Sequence, residues 1–566
     1  MKNNNQQKGL NLVLSGLVAV SAFSQPANEN KTVKPNILFI AVDDLKPELG
    51  CYGNNLIKTP NIDRLAKQGT VFLGNYCQQA ISGATRASIL TGLRPDETKV
   101  WDLVTKIREV NPNVITMPQY FISQGYITSG VGKIYHPSTV IKNDLLSWSI
   151  PYLNSDDCLA KEFGKPALGN YQSPKTKALI EKYLKEAAEN KRNGTPEKDC
   201  LKSDPRTGWV FEVPKGQESK AKDMPFVIPS VESADVPDNA YDDGAIALKA
   251  KKQIITLASN KKPFFMAVGF HKPHLPFVSP KKYWDLYKRD EMPIAEFQQH
   301  AKNSPEIAYH NSGELRHYTD IPPLCSFSDQ SNDIGLAIEK QKELIHGYYA
   351  AVSYTDAQVG ILLNTLDSLG MLKNTIIVLW GDHGWHLGDH DLWCKHSDFE
   401  NATRAPLIIS APGFDSGKTK SMTEFVDVFP TLCVLANIPV PTQLPGKSLI
   451  PILKNKSAKV KEYAVSQYPR SLDPKIAKHK GYKSKGIMGY SIRTSNFRYT
   501  IWMAENFRTN QPFSEKKVYA AELYDYEKDP LETINVVDNI EYKSVSKEMK
   551  TKMVDFFKSQ EKALTK

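Results

Sequence analysis

The chain has 566 residues, of which 41% are hydrophobic and 24% are charged, and its formal net charge is +10. This composition is typical of a globular protein and argues against a disordered or fibrous one. The length is too great for a single small core and predicts two domains, one of them large. The positive charge favours anionic partners.

The N-terminal segment has the pattern of an export signal. Lys2 and Lys8 give it a basic start, residues 10–23 are largely apolar, and small residues surround Ser24 and Gln25. We therefore predict that residues 1–24 are a cleaved signal peptide and that the protein is periplasmic or secreted. The apolar run is too short to span a bilayer comfortably, and no later segment is long enough, so the chain is not expected to cross a membrane.

Export bears on both the partners and the cysteines. An exported protein meets anionic polysaccharide rather than nucleic acid, although much of the positive excess lies in residues 454–485, where a solvated surface also explains it. Export permits disulfides, and a count of seven cysteines leaves at least one unpaired in a monomer. Cys158 with Cys200 is the candidate bridge, and no Cys-x-x-Cys spacing suggests zinc.

Three continuous apolar runs have the pattern of strands that are buried on both faces, at residues 37–42, 263–269 and 376–380. Helix-like stretches separate them, and this alternation predicts an α/β fold with a mostly parallel sheet covered by helices on both faces. In such sheets, active sites lie beyond the carboxyl ends of the strands. The helix-like stretches are residues 61–68, 116–124, 243–258 and 342–369.

The chain changes character near residue 450. Prolines and a glycine between residues 439 and 446 mark a boundary, and short strand-like runs follow before a helix-like segment at residues 545–564. We predict a large domain over residues 25–450 and a smaller C-terminal subdomain with an antiparallel sheet over residues 451–566. Residues 150–235, rich in Lys, Pro, Asn and Ser, are predicted to be a long insertion. The strand-like runs are residues 463–467, 488–493, 499–503 and 522–524.

Acidic residues follow two of the predicted strands. Asp43 and Asp44 come directly after one strand, and Asp382 and His383 follow another. Adjacent carboxylates repel each other unless a positive charge lies beside them, and oxygen ligands favour calcium or magnesium. Either pair alone is explained by a turn or a helix cap, but two such pairs at one sheet edge predict a metal site. His383 is the least usual of these calcium ligands.

The segment Ser82-Gly-Ala-Thr-Arg-Ala-Ser-Ile-Leu-Thr-Gly92 has the pattern of a helix that Ser82 caps and that ends at Gly92. Arg86 lies one helical turn beyond Ser82 on the same face. A helix N-terminus attracts anions, so a hydroxyl, a helix dipole and a guanidinium converge on one point. This combination suits an oxyanion such as sulfate or phosphate.

The same segment resembles the signature of the sulfatase family, Cys/Ser-x-Pro/Ala-x-Arg-x-x-x-Leu-Thr-Gly. Ser82 stands where the family commonly has cysteine and Ala84 where it commonly has proline, and both are typical of the serine-type bacterial branch. The similarity covers most of the chain and is closest to the iduronate-2-sulfatases. Supporting stretches are Pro60-Asn-Ile-Asp-Arg-Leu65, Gly132-Lys-Ile-Tyr-His136, Gly269-Phe-His-Lys-Pro-His-Leu-Pro276, Gly381-Asp-His-Gly-Trp-His-Leu-Gly388, Gln467-Tyr-Pro-Arg470, Ile487-Met-Gly-Tyr-Ser-Ile-Arg-Thr494 and Glu522-Leu-Tyr524.

The resemblance implies an alkaline-phosphatase-like fold, a bound calcium ion and hydrolysis of sulfate esters. It implies that a radical maturase converts Ser82 to formylglycine (3-oxoalanine) before or during export. One hydroxyl of the aldehyde hydrate would attack sulfur, and deprotonation of the other would release sulfate and restore the aldehyde, whereas a plain serine would keep a stable ester. The implied calcium ligands are Asp43, Asp44, Asp382, His383 and the modified Ser82.

The remaining implied site residues surround the sulfate. Arg86 would stabilise the nucleophile, and Lys133 and Lys395 would balance charge on the sulfuryl oxygens. His274 is the candidate acid for the leaving oxygen and His136 the candidate base, and the two roles can be exchanged. Taken separately, the lysines are also explained as surface charges and the histidines as turn or loop residues.

Two other functions are open at this point. One is a phosphodiester or phosphonate hydrolase of the same superfamily, and the other is a polysaccharide-binding pseudoenzyme. A single metal group and the Lys/His set favour sulfate. The resemblance suggests a sulfated polysaccharide that contains uronic acid, such as a glycosaminoglycan or ulvan, or its oligosaccharides.

Overall fold

A computed structural model describes residues 34–159, 171–179, 181, 182, 185, 229–316, 318, 320, 321, 336–482, 486–504 and 513–564. From Pro35 onward, the described residues form one compact unit. The predicted signal peptide, most of the predicted insertion and Cys200 lie outside the described residues. Cys158, its expected partner, is buried and forms no disulfide with another described cysteine. Among the described residues, no helix is both long enough and apolar enough to cross a membrane.

The strands in these ranges are β1 (Asn36–Val42), β2 (Thr70–Phe72), β3 (Asn75–Tyr76), β4 (Ile127–Gly132), β5 (Val231–Ala234), β6 (Phe264–Phe270), β7 (Phe277–Pro280), β8 (Thr375–Gly381), β9 (His386–Leu387), β10 (Trp393–Cys394), β11 (Leu407–Ser410), β12 (Gly417–Thr419), β13 (Thr423–Glu424), β14 (Ala464–Ser471), β15 (Gly486–Arg493), β16 (Phe497–Ala504) and β17 (Val518–Asp525). The α-helices are α1 (Pro60–Ala66), α2 (Ser82–Thr91), α3 (Pro95–Thr98), α4 (Ile107–Val110), α5 (Met117–Ser123), α6 (Ser155–Cys158), α7 (Asp242–Ala258), α8 (Lys281–Trp284), α9 (Gly313–Arg316), α10 (Ile338–Ser368), α11 (Glu400–Thr403), α12 (Val428–Leu435), α13 (Ile450–Lys454), α14 (Pro474–His479) and α15 (Lys543–Leu564).

The central sheet is mostly parallel, as predicted. Its described strands lie in the order β12-β2-β11-β8-β1-β6-β4. Strand β1 pairs in parallel with both β6 and β8, and β4 pairs in parallel with β6. Strand β11 runs antiparallel to β8 and to β2. The carboxyl ends of β1, β4, β6 and β8 therefore meet at one edge of the sheet.

Both faces of this sheet are covered, which explains why its strands are continuous apolar runs. Because side chains alternate along a strand, Leu38 and Ile40 of β1 pack in one core cluster with α1, α7 and α10. Ile37 and Phe39 face the opposite cluster, with α2, α5 and α12. The four helix-like stretches that the sequence predicted between the strands are present as α1, α5, α7 and α10.

The C-terminal part of the chain forms a separate antiparallel sheet in the order β14-β15-β16-β17. Helix α15 covers it through Met549, Met553, Phe556 and Phe557, which pack with apolar side chains of β15 and β16. The predicted smaller α+β region is thus present, with its first strand at Ala464. A division at residue 450 stays a prediction.

Candidate active site

Polar residues extend three parallel strands at the same edge of the sheet. Asp43 and Asp44 follow β1, Lys133 follows β4, and Asp382 follows β8. The sheet ladder continues into these residues, because Asp43 N donates to Phe270 O and Asp382 N donates to Val42 O. Asp44 turns away from the strand with a left-handed φ of 56°, and its backbone N donates to Asp382 Oδ1 at 2.9 Å. This arrangement brings together the acidic pairs that the sequence predicted to meet.

The conformation of Gly132 at the end of β4 places Lys133 at this edge of the sheet. It has a φ of 80°, and a Cβ at this position would lie 2.1 Å from Gly269 O. Glycine is therefore required at this position by both conformation and space. Lys133 Nζ, which follows directly, donates to Asp43 Oδ2.

Ser82 lies at the start of α2, but it does not cap that helix. The N-cap residue is Ile81, and Ser82 is the first helical residue, so the predicted cap is wrong. The hydroxyl is used elsewhere: Ser82 Oγ lies 3.2 Å from Asp43 Oδ1 and 3.2 Å from His383 Nε2. Ser82 is only 3% exposed, so its Oγ is fixed at the junction of α2 with the acidic strand ends.

Arg86 joins the two acidic pairs. Its Nε donates to Asp382 Oδ2 at 3.0 Å and its Nη2 donates to Asp43 Oδ1 at 2.8 Å. Its Nη1 donates to the carbonyls of Lys133 and Ile134. Burial alone would raise the pKa of Asp43, but the nearby charges of Lys133 and Arg86 hold that pKa well below its usual value. Asp43 is therefore a stable anion.

The surroundings of Asp44 shift its pKa in the opposite direction. Burial raises its pKa well above the usual value, and the charge of Lys395 offsets this only in part. Both carboxylate oxygens of Asp44 accept from Lys395 Nζ at 3.0 Å, while Asp43, Glu314 and Asp382 add negative charge. A further cation would relieve this excess.

The donor atoms fit a metal ion of the hard, oxygen-binding class. Single ligand atoms of Asp44, Asp382 and His383 lie within 4.8 Å of one another, as do those of Asp43, Asp44 and His274. His383 Nδ1 lies 2.9 Å from Gly384 O, and a carbonyl only accepts. The proton is therefore on Nδ1, and Nε2 offers its lone pair to the site.

The two candidate proton-transfer histidines lie in different surroundings. His274 Nδ1 contacts Leu275 O at 2.6 Å, which leaves Nε2 facing Glu314 Oε1 at 3.3 Å and Asp44 Oδ2 at 3.8 Å. His136 follows Lys133 by three residues, and its Nδ1 lies 2.8 Å from Ser138 Oγ. Desolvation and the charge of Lys133 lower the pKa of His136 to about 3, so it is neutral at neutral pH.

Three further residues complete the site and were missed from the sequence. Glu314 Oε1 accepts from Lys395 Nζ at 3.0 Å, and Glu314 Oε2 lies 3.1 Å from His396 Nε2. Tyr468 OH lies 2.7 Å from His396 Nδ1. Glu314 belongs to no motif and lies far from Lys395 in sequence, so only the folded chain shows their contact.

Comparisons with known proteins identify the family of this chain. Residues 35–438 match the family model described as Sulfatase, and residues 388–559 match the model of the N-sulphoglucosamine sulphohydrolase C-terminal region. Iduronate 2-sulfatase of Homo sapiens is 33% identical, over 94% of this chain and 96% of that protein. The chain therefore belongs to the sulfatase family. It is a sulfuric ester hydrolase, and the resemblance to iduronate-2-sulfatase expected from the sequence is confirmed.

Solved structures support the fold. A protein in complex with its substrate D-glucosamine-2-N,6-O-disulfate superposes with a TM-score of 0.61 at 22% identity, covering 94% of this chain and 98% of that one. The phosphonate monoester hydrolase of Agrobacterium radiobacter gives a TM-score of 0.64 at 20% identity, covering 93% and 96%. These likenesses concern the fold alone, and the predicted alkaline-phosphatase-like architecture is confirmed.

Proposed function

We propose that this sulfatase removes sulfate esters from a sulfated polysaccharide that contains uronic acid, or from its oligosaccharides. The similarity to iduronate 2-sulfatase over nearly the whole length of both chains supports this substrate class. Glycosaminoglycans and ulvan both belong to this substrate class. The net charge of +10 favours approach of such a polyanion, as does an exported location, periplasmic or secreted.

We further propose that the nucleophile is a formylglycine formed from Ser82. The observation that carries this proposal is the position of Ser82 Oγ, 3.2 Å from both Asp43 Oδ1 and His383 Nε2. The hydrated aldehyde supplies one hydroxyl to attack sulfur and a second whose deprotonation releases sulfate. A radical maturase specific for serine is the partner that this conversion requires.

Asp43, Asp44, Asp382 and His383, with the modified residue 82, would hold a calcium ion. Bound there, the ion would supply positive charge that stabilises an ionised nucleophile. Arg86 keeps Asp43 and Asp382 in place through its two ion pairs. Lys133 and Lys395 present ammonium groups at the same edge, where they can bind the oxygens of a sulfate group.

His274 and His136 divide the proton transfers. His274 is the proposed acid for the leaving sugar oxygen, because Nε2 is the ring nitrogen that faces the site. Desolvation and the charge of Lys395 lower the pKa of His274 well below its usual value, so its pKa does not distinguish the acid from the base. His136 is the proposed base, since its lowered pKa keeps the ring neutral at neutral pH. The reverse assignment is the alternative.

One experiment tests the nucleophile and the reaction together. The peptide that contains residue 82 is weighed, and sulfate release from glycosaminoglycan and ulvan oligosaccharides is measured on the same samples, from hosts with and without a serine-directed radical maturase. We expect the rate to follow the fraction of residue 82 that has lost two hydrogens. High turnover with wholly unmodified Ser82 would overturn the mechanism and favour a phosphohydrolase-like enzyme that uses serine itself.

A further inference from the structure

Tyr348 is a fully buried tyrosine of helix α10, and its hydroxyl contacts the turn that follows β1. The hydroxyl donates to Asp44 O at 2.8 Å and accepts from Lys46 N at 2.7 Å. These two backbone groups are only two residues apart. A single side chain on a distant helix therefore closes the turn by which the chain leaves β1.

The turn needs a partner from outside because the sheet ladder ends at Asp43, whose N donates to Phe270 O. Asp44, the next residue, has a φ of 56°, which is uncommon for a residue with a side chain. Asp44 is completely buried, and a buried carbonyl needs a hydrogen-bond donor. Tyr348 supplies that donor and so stabilises the left-handed conformation at Asp44.

The ring of Tyr348 is itself held by packing. It meets Phe277 edge to face with ring centroids 5.5 Å apart and lies nearly parallel to Trp385 at 6.4 Å. Lys395 Nζ lies 4.9 Å from the centre of the Trp385 ring and donates to both carboxylate oxygens of Asp44 at 3.0 Å. The backbone and the carboxylate of Asp44 are thus fixed by one packed group of side chains.

We propose that Tyr348 is a positioning residue for calcium, which orients the Asp44 carboxylate toward the metal site by holding the turn between Asp44 and Lys46. The inference rests on the calcium site proposed above. Rotation of the backbone at Asp44 would move its carboxylate relative to Asp382 and His383, whose donor atoms lie within 4.8 Å of one of its oxygens. Loss of a contact that orients a metal ligand commonly weakens metal affinity by about 10–100-fold.

Helix α10 also offers a closely matched control. Tyr354 is fully buried as well, and its hydroxyl accepts from Gly244 N at 2.6 Å and donates to Asp238 O at 2.9 Å. It therefore joins two backbone groups with the same pair of hydrogen bonds, at a place that contains none of the proposed calcium ligands. A purely structural hydroxyl predicts the same consequences for Tyr348→Phe and Tyr354→Phe.

The test measures calcium affinity by isothermal titration calorimetry on metal-free, folded samples with the same degree of modification at residue 82. Sulfate release is measured on these samples at increasing calcium concentrations. Tyr348→Phe should weaken calcium binding by about 10–100-fold and raise the calcium concentration for half-maximal activity by the same factor. Its kcat at saturating calcium should stay near the parent value, because bound calcium restores the orientation of Asp44. Tyr354→Phe should bind calcium as the parent does.

The outcomes separate this inference from the proposed metal site. A parent protein that binds no calcium would overturn the site, and the role of Tyr348 with it. A parent that binds calcium, with equal affinities in Tyr348→Phe and Tyr354→Phe, would overturn the positioning role alone.

If Tyr348→Phe does not fold, amide hydrogen exchange of the parent protein is the second measurement. The Lys46 amide is bonded to the Tyr348 hydroxyl and the Gly244 amide to the Tyr354 hydroxyl, so each exchanges when its own bond opens. Calcium should slow exchange at Lys46 by more than at Gly244, because calcium and Tyr348 favour the same turn. Equal slowing at the two amides would overturn the proposal.

Discussion

The Ser82 hydroxyl is held by contacts with residues outside its own helix. It is held between Asp43 after β1 and His383 after β8, while the N-terminus of α2 has no side-chain cap. The residue is therefore placed for chemistry rather than for helix stability.

Ser82→Ala should abolish sulfate release while the protein stays folded. The loss of stability should be about 1 kcal/mol, from the hydrogen bonds of Oγ. Ser88→Ala is the matched control, because Ser88 lies buried on the same helix and its Oγ has no hydrogen-bond partner in the described part of the chain. It should keep full activity. Turnover by folded Ser82→Ala at the parent rate would exclude Ser82 as the nucleophile.

Asp398 should make the stability of the protein depend on pH. Neither of its carboxylate oxygens has a hydrogen-bond partner among the described residues. Burial raises the pKa of Asp398 to about 8, although the positive charges of Arg470 and Arg498 act to lower it. Between its usual pKa and about 8 the folded state keeps a proton that the unfolded state releases. Stability therefore falls as pH rises through that window and is level above it, a loss on the order of a few kcal/mol.

Asp398→Asn should remove this part of the pH dependence. Denaturant unfolding at pH 5 and pH 9 should show a smaller difference than in the parent, and the variant should be the more stable protein at pH 9. Asp538→Asn, an exposed change, should behave like the parent. Equal pH dependence in parent and Asp398→Asn would contradict the assignment.

At the scale of elements, strand β14 connects the C-terminal sheet to the active site. Gln467 N donates to Gln78 O, and Ser466 Oγ donates to Cys77 O at 2.6 Å, just before Ser82. Further along the strand, Tyr468 and Arg470 contact the side chain and the carbonyl of His396. The strand therefore holds both the Ser82 and the Lys395 segments.

Tyr468→Phe should lower kcat by about 5-fold, since one lost hydrogen bond of about 1 kcal/mol loosens His396 and through it Glu314. Tyr490→Phe is the control on the neighbouring strand, where the hydroxyl donates to Asp96 Oδ2 at 2.8 Å. It should cost similar stability and leave kcat unchanged. Steady-state kinetics and thermal unfolding of both variants test this prediction. Equal kcat values for Tyr468→Phe and Tyr490→Phe would exclude a role for β14 in the site.

Continuous apolar runs and the acidic residues after them predicted β1, β8 and the convergence of their ends, because burial on both faces leaves a strong pattern. Strand β11 was not predicted, since its short apolar run has no sequence feature that distinguishes a strand from other short apolar segments. Glu314 and Tyr468 were missed for a different reason. Their roles come from contacts across 81 residues to Lys395 and 72 residues to His396, which no local spacing encodes.

At the scale of the whole molecule, we expect calcium to stabilise the folded enzyme. A ligand that binds only the folded state adds about 2.7 kcal/mol at 100 times its Kd, and the carboxylate excess around Asp44 gives the ion a favourable place. Exhaustive chelation should lower the unfolding midpoint and abolish activity, and calcium should restore both. Asp44→Asn should lose the calcium-dependent shift. Full activity in a sample shown to be metal-free by elemental analysis would refute the requirement.

The partners of the site lie far apart along the chain. Ser82 and His383 are separated by 301 residues, and Asp44 and Asp382 by 338. At a synthesis rate of about 5–20 residues per second, roughly 15–60 s pass between the appearance of Ser82 and that of His383. During this interval residue 82 has no folded site to enter, whereas in the finished protein it is 3% exposed. The separation of these residues along the chain therefore sets a time interval. If Ser82 is converted to formylglycine as proposed, we expect the modifying enzyme to act within this interval or on a chain that is still unfolded.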